Sequence, residues 1–350
     1  MRTERGNYSA LLCTIFLLIF FSLTRVYALE IPTGFSSESI VPPSFVPNNS
    51  TALSVGMDPT GQLYSSNGYQ FSPVNFSGPP VAVESLRPPI ANNAAITDLI
   101  YDQSGNLYIA DYLGGRVLKR EPGEQSFTTF ASGLSYPREL TFDGQGNLLV
   151  AGKANPNDPG TIWKITPSGT VGTLASGFSG PVDLATSQSG NVYMLVFSGA
   201  IYEVLSSGSL SLYADLFSSA GIVGSGIGYP EAFAIDNSGN MGVSINEGQR
   251  FGKNSSEIYR ISPSLQLDLF AFGVGDIPVD MLFTPSNELV LADYDAYTAS
   301  RVIKIAGDFN APLFDLPSSP SPIPEPSTLL LLGSGLAGLG GIAWRRHCKG

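Results

Sequence analysis

Residues 99–111 read LIYDQSGNLYIAD, and residues 140–152 read LTFDGQGNLLVAG. In each, an apolar strand ends in Asp, a Gly-Asn pair turns the chain and a second apolar strand returns, the pattern of a β-hairpin. The unit recurs as SVGMDPTGQLYSS from 54, LATSQSGNVYMLV from 184, FAIDNSGNMGVSI from 233 and MLFTPSNELVLAD from 281. Taken at the turn position, Gly61, Gly105, Gly146, Gly190, Gly239 and Asn287 lie 44, 41, 44, 49 and 48 residues apart. That period accommodates four short strands, and six such sheets arranged radially make an all-β, six-bladed propeller.

The flanks repeat in register. Pro137, Pro181, Pro230 and Pro278 stand at the entry of the first strand, where a missing amide donor is tolerated. A third strand follows in RVLKR at 116, TIWKI at 161, AIYEV at 200, EIYRI at 257 and RVIKI at 301, and a fourth in FTTFAS at 127, VGTLAS at 171, LSLYAD at 210 and LQLDLF at 265. A seventh blade would need another unit in 35–50 or 68–90, and neither stretch has the Gly-Asn turn. Ring closure is expected from the chain ends, through FNAPLF at 309 or the stretch near Ile40 to Phe45. The combined pattern, proline, apolar strand, Asp, Gly-Asn and apolar strand over residues 51–314, resembles the NHL-repeat and gluconolactonase-like six-bladed propellers.

The chain ends carry targeting signals. Arg2 and Arg5 precede an apolar stretch from Ala10 to Leu23, and Val26-Tyr27-Ala28 suits a signal peptidase. Residues 1–28 therefore read as a Sec-type export signal, followed by an N-terminal segment at 29–50. Past a Pro/Ser linker at 315–323 come Pro324-Glu325-Pro326, an uncharged run from Thr328 to Trp344, and Arg345-Arg346. At about 1.5 Å per helical residue the run reaches about 25 Å, enough for one C-terminal transmembrane helix with its basic flank in the cytoplasm. This tail, 324–350, resembles the PEP-CTERM sorting signal of Gram-negative bacteria. The resemblance implies an inner-membrane intermediate facing the periplasm, cleavage near Pro324–Pro326 by an exosortase-type enzyme, and delivery to the cell surface or beyond. It also implies exopolysaccharide or another exported protein as partner, because the family is associated with bacteria that make exopolysaccharide.

Composition narrows the chemistry. Removing Arg2, Arg5, Arg25 and Glu4 with the signal, and Arg345, Arg346, Lys349 and Glu325 with the tail, turns 18 basic and 29 acidic residues into 12 and 27, a net charge of −15. Such a body repels nucleic acid and anionic lipid. The chain's two cysteines, Cys13 and Cys348, and its single histidine, His347, all fall in the targeting segments. That excludes disulfides, a histidine-liganded zinc site and a Ser-His-Asp triad from the body. No nucleotide cofactor is expected either.

Two sets of carboxylates differ in position. Asp58, Asp102, Asp143 and Asp236 sit in the hairpin turn and read as structural acceptors for backbone amides. Asp98, Glu139, Asp183 and Asp280 stand at the start of the first strands in one register, with Glu231 one place earlier. At the ends of the second strands lie Asp111, Asn246, Glu247 and Asp293, with Tyr112, Tyr229 and Tyr294 close by. If the ring closes, these groups converge on one channel mouth. Asp98, Glu139, Asp183, Asp280 and Asn246 then make a candidate site for a hard cation, calcium first, while solvated rim acids are the plainer reading. The function expected is an exported binding or scaffold protein. Its alternative, implied by the gluconolactonase-like resemblance, is a calcium-dependent lactonase or hydrolase at the channel mouth.

Overall fold

The structure is a computed structural model that describes residues 29, 31–40, 54–68, 70–76, 96–152, 159–178, 180–217, 228–246, 256–272, 277–294 and 300–310. The expected signal and sorting tail lie outside them. No helix among the described residues is long and apolar enough to cross a membrane.

An outlying strand β1 (Ser36–Ile40) precedes six antiparallel sheets. Blade one holds β2 (Ser54–Met57), β3 (Leu63–Ser66) and β4 (Phe71–Val74). Blade two holds β5 (Ile96–Tyr101), β6 (Leu107–Asp111), β7 (Arg116–Arg120) and β8 (Thr128–Ser132). Blade three holds β9 (Pro137–Phe142), β10 (Leu148–Gly152), β11 (Gly160–Ile165) and β12 (Val171–Phe178). Blade four holds β13 (Pro181–Thr186), β14 (Val192–Val196), β15 (Ala200–Val204) and β16 (Leu210–Asp215). Blade five holds β17 (Tyr229–Ile235), β18 (Met241–Asn246), β19 (Ser256–Ile261) and β20 (Leu267–Phe272). Blade six holds β21 (Ile277–Phe283), β22 (Leu289–Tyr294), β23 (Arg301–Ala306) and, on its outer edge, β1. The first strands of successive blades touch in a closed ring, so the fold is the six-bladed propeller that the period predicts.

The hairpin signature has a physical account at each position. The Asp102 carboxylate accepts bonds from Ser104 N and Asn106 N, both 2.9 Å, and Asn106 Nδ2 donates back to it at 2.7 Å. Asp143 with Asn147 and Asp236 with Asn240 repeat this clasp. The intervening Gly105, Gly146 and Gly239 take φ near +80°, a region that side chains disfavour, and Asn287 holds the same conformation in blade six. Where Asp is missing, Ser187 and Thr284 hydroxyls accept the equivalent amides.

The core is divided among the joints: six hydrophobic clusters, one between each pair of neighbouring blades. This explains why second strands such as LLVAG are apolar throughout. Leu148 and Val150 pack towards blade two, while Leu149 and Ala151 pack towards blade four.

Closure differs in detail from expectation. The last outer strand is Ser36–Ile40, paired antiparallel with β23 from Ser36 opposite Ala306 to Ile40 opposite Val302. Of FNAPLF, only Phe309 and Asn310 are among the described residues. Phe309 plugs the rim of blades five and six, its ring 5.2 Å from Phe35, 4.6 Å from Phe270 and 4.9 Å from Phe283. Both chain ends are therefore pinned by one aromatic cluster. Deleting residues 29–40 should lower the melting temperature by roughly 10 °C or more, and Phe309→Ala should cost about 3–5 kcal/mol. Ending the chain at Phe314 should leave the midpoint within a degree or two. Thermal unfolding monitored by circular dichroism checks all three, and an unchanged midpoint after the deletion would reject this closure.

Candidate functional site

Each first strand bonds its second strand along one edge and turns the other edge to the channel, where amides have no ladder partner. Asp98 meets this need at the joint between blades two and three. One carboxylate oxygen accepts the amide of its own neighbour Leu99 at 2.6 Å, and the other accepts Leu140 N of the next blade at 2.7 Å. Asp183 repeats the arrangement between blades four and five, accepting Leu184 N at 2.6 Å and Phe233 N at 2.7 Å. Asp280 accepts Val55 N at 2.8 Å, joining blade six to blade one. The register shift behind Pro181 and Pro278, and its counterpart between Ile96 and Leu99, is what brings each Asp into position. Thr97 Oγ1 to Pro137 O and Ser244 Oγ to Pro278 O, both 3.1 Å, satisfy carbonyls across joints.

The three aspartates line a central cavity of about 270 Å³ together with Leu140, Phe233 and Val55. Burial pushes Asp98 up to about 7, although its two amide bonds pull the other way. Burial likewise raises Asp183, Asp280 and Glu139, and repulsion among these carboxylates adds to the shift in each. Asp98, Asp183 and Asp280 thus share one cavity wall, and Glu139 lies near enough to feel their charge. Arg138 lies 3.6 Å from Glu139 and tempers its rise, and it does the same for Glu231, which burial also raises.

Other predicted site residues serve their own blades. Asp111 is buried against Arg116 at 2.7 Å, directly across β6 and β7, and also accepts Gly114 N at 2.9 Å. Asp293 is buried against Arg301 at 3.0 Å, across β22 and β23. Asn246 ends β18 opposite Tyr229. Glu247 lies outside the described residues. Among the described residues, no three Asp, Glu, His or Cys side chains come together closely enough to hold a metal ion. Asp98, Asp183 and Asp280 turn oxygens to backbone amides, whereas Glu139 faces Arg138.

Counting from the turn position reveals an alternation that a blade-by-blade reading misses. Seven residues before it stand Asp98, Asp183 and Asp280 in blades two, four and six, but Ser54, Glu139 and Ala232 in one, three and five. Seven residues after it stand Tyr112, Phe197 and Tyr294 in the even blades, but Gly68, Lys153 and Asn246 in the odd ones. The ring is thus built from three two-blade units, each clasped by an Asp and marked by an aromatic at the rim. At two joints that aromatic meets another from the next blade. Tyr112 packs on Tyr136 at 5.0 Å, and Phe197 stacks on Tyr229 at 4.8 Å and 25°. Tyr136 and Phe197 were legible only by this offset. With Leu113 they leave 37–54% of their surface exposed, as does Tyr229 at 41%.

Comparison with known proteins agrees with both halves of this picture. Residues 322–346 match the PEP-CTERM protein-sorting motif. No curated protein matches the chain in sequence. Among solved structures, a putative gluconolactonase superposes with a TM-score of 0.57 at 13% identity, covering 79% of this chain and 94% of its own. A calcium-binding protein, regucalcin, from Agrobacterium tumefaciens gives 0.54 at 16% identity, covering 77% and 95%. Virginiamycin B lyase from Staphylococcus aureus gives 0.53 at 10%, covering 78% and 99%. At these identities the likeness is one of fold. The chain is a six-bladed β-propeller that carries a PEP-CTERM sorting signal at its C-terminal end.

Proposed function

We propose that the chain is an exported binding module, delivered by an exosortase-type system to the cell surface or matrix, that presents the strand-start face of its propeller to a partner. The observation that carries this reading is the position of Asn310, from which the chain leads to the sorting signal, relative to that face. Asn310, the last described residue, is held on the opposite, turn face: it bonds Asn240 at 2.9 Å and Ser238 at 3.1 Å in the hairpin turn of blade five. From there to Pro324 an extended chain reaches at most about 50 Å. Because the chain leaves from the turn face, a tethered propeller can present its aromatic rim away from the membrane. Exposed aromatics at such a rim are a common mark of recognition surfaces.

The calcium-dependent lactonase is the second reading, favoured by the repulsion among Asp98, Glu139, Asp183 and Asp280, which a cation would relieve. The engagement of Asp98, Asp183 and Asp280 with interblade amides weighs against it. Protons relieve the same repulsion, and the sign follows from linkage. Carboxylates raised above their unfolded values bind more protons in the native state, so stability is full below about pH 4 and is lost as pH rises through their folded values, about 7 for Asp98.

Three measurements separate the readings. The soluble body, residues 29–314, should melt several degrees higher at pH 5.5 than at pH 8, and Glu139→Gln should narrow the gap; a midpoint equal or higher at pH 8 would contradict the ring electrostatics. Millimolar calcium after EDTA should leave the midpoint unchanged. A rise of degrees that Asp183→Asn abolishes, with turnover on a lactone panel, would replace the binding reading by the enzymatic one. Finally, the body should cosediment with cell-envelope fragments and lose this with Leu113→Asp plus Phe197→Asp, but not with Leu212→Asp on the outer strand of blade four. Sedimentation that is absent, or equal in all variants, would count against a binding role for this face.

A further inference from the structure

We propose that the strand-start rim binds neutral saccharide chains at two equivalent aromatic subsites, Tyr112 with Tyr136 between blades two and three, and Phe197 with Tyr229 between blades four and five. This rests on the binding-module reading and names its ligand class.

The two subsites are the same construction made twice. Each pairs the residue seven places after the turn of an even blade with the residue ten places before the turn of the next. Ring centroids lie 5.0 Å apart in one and 4.8 Å in the other. The three exposed aromatics among the described large apolar residues, Tyr136, Phe197 and Tyr229, all belong to this construction. Tyr136 holds φ at +47°, a conformation that a bulky side chain rarely adopts and glycine accepts freely. Packing alone does not call for an exposed tyrosine in that backbone.

The rings and the charge of the body select the ligand. A pyranose lays its C–H face on an aromatic ring and keeps its hydroxyls for water and neighbouring polar groups. A polyanion would be repelled by the acidic body. Repeated subsites suit a repeating ligand, because two weak contacts on one chain reinforce each other.

Affinity electrophoresis of residues 29–314 through gels containing dextran, a soluble β-glucan or alginate tests this. Retardation by at least one neutral polymer and not by alginate is expected. Tyr136→Gly and Phe197→Ser should each weaken it at least threefold, and the pair at least tenfold, with Leu212→Ser as wild type. Tyr136→Gly should melt no lower than wild type, since glycine relieves the backbone, which separates lost contact from lost fold. No retardation by either neutral polymer, equal retardation by alginate, or unaffected variants would overturn the proposal. If the body still cosediments with envelope fragments in that case, a protein partner takes the place of the saccharide and the binding reading stands; if it does neither, both fall.

Discussion

Six innermost strands face a channel with one unpaired edge each, and an amide left there without water or partner costs on the order of 1–3 kcal/mol. A propeller cannot cover these edges with another strand, because the channel lies in the way. Side chains from the adjoining blade must do it. Asp98, Asp183 and Asp280 each reach across a joint to an amide of the next blade, so one residue type settles edge satisfaction and blade spacing together. The consequence is a ring of acids in which the three aspartates are held by amides of the adjoining blades and Glu139 by the charge of Arg138.

That economy bears on function. Carboxylates around a propeller channel invite a metal reading. Here the same groups have a structural occupation that the sequence pattern alone does not disclose. The rim aromatics Tyr136, Phe197 and Tyr229, by contrast, stay exposed. In each two-blade unit the residue before the turn clasps and the residue after it is displayed, so under the binding reading proposed above stability and recognition use different positions.

Much of the fold was readable because each position of the hairpin signature does a local job. Asp caps the turn, Gly takes the left-handed conformation, Asn ties back to Asp, and the apolar run is sandwiched between neighbours. These are short-range effects, and a period of 41 to 49 residues carries them through the chain. The closing strand SSESI has no such mark. It is polar, lies on an outer edge and gains its structure only from pairing with β23, a contact between the two ends of the body. The positions of the acids were readable, and the backbone amides they bind were not. The register of Asp98, Glu139, Asp183 and Asp280 follows from counting, but the bulges that aim them and the partner amides are tertiary. Asp111 and Asp293 belong to ion pairs across their own hairpins, which the cross-strand register with Arg116 and Arg301 explains. Tyr136 and Phe197 needed comparison of alternate blades.

The claim on which the rest stands is that aspartates of the even blades bind the open-edge amides of the odd ones. Amide hydrogen exchange resolved by residue measures this directly on the soluble body. The amides of Val55, Leu140 and Phe233 should exchange as slowly as the ladder amides of β6, β10 and β14, close to the rate set by global unfolding. If they exchange instead at the rate of the exposed turn glycine Gly144, the aspartates are not clasping the ring and the account of its acids is wrong.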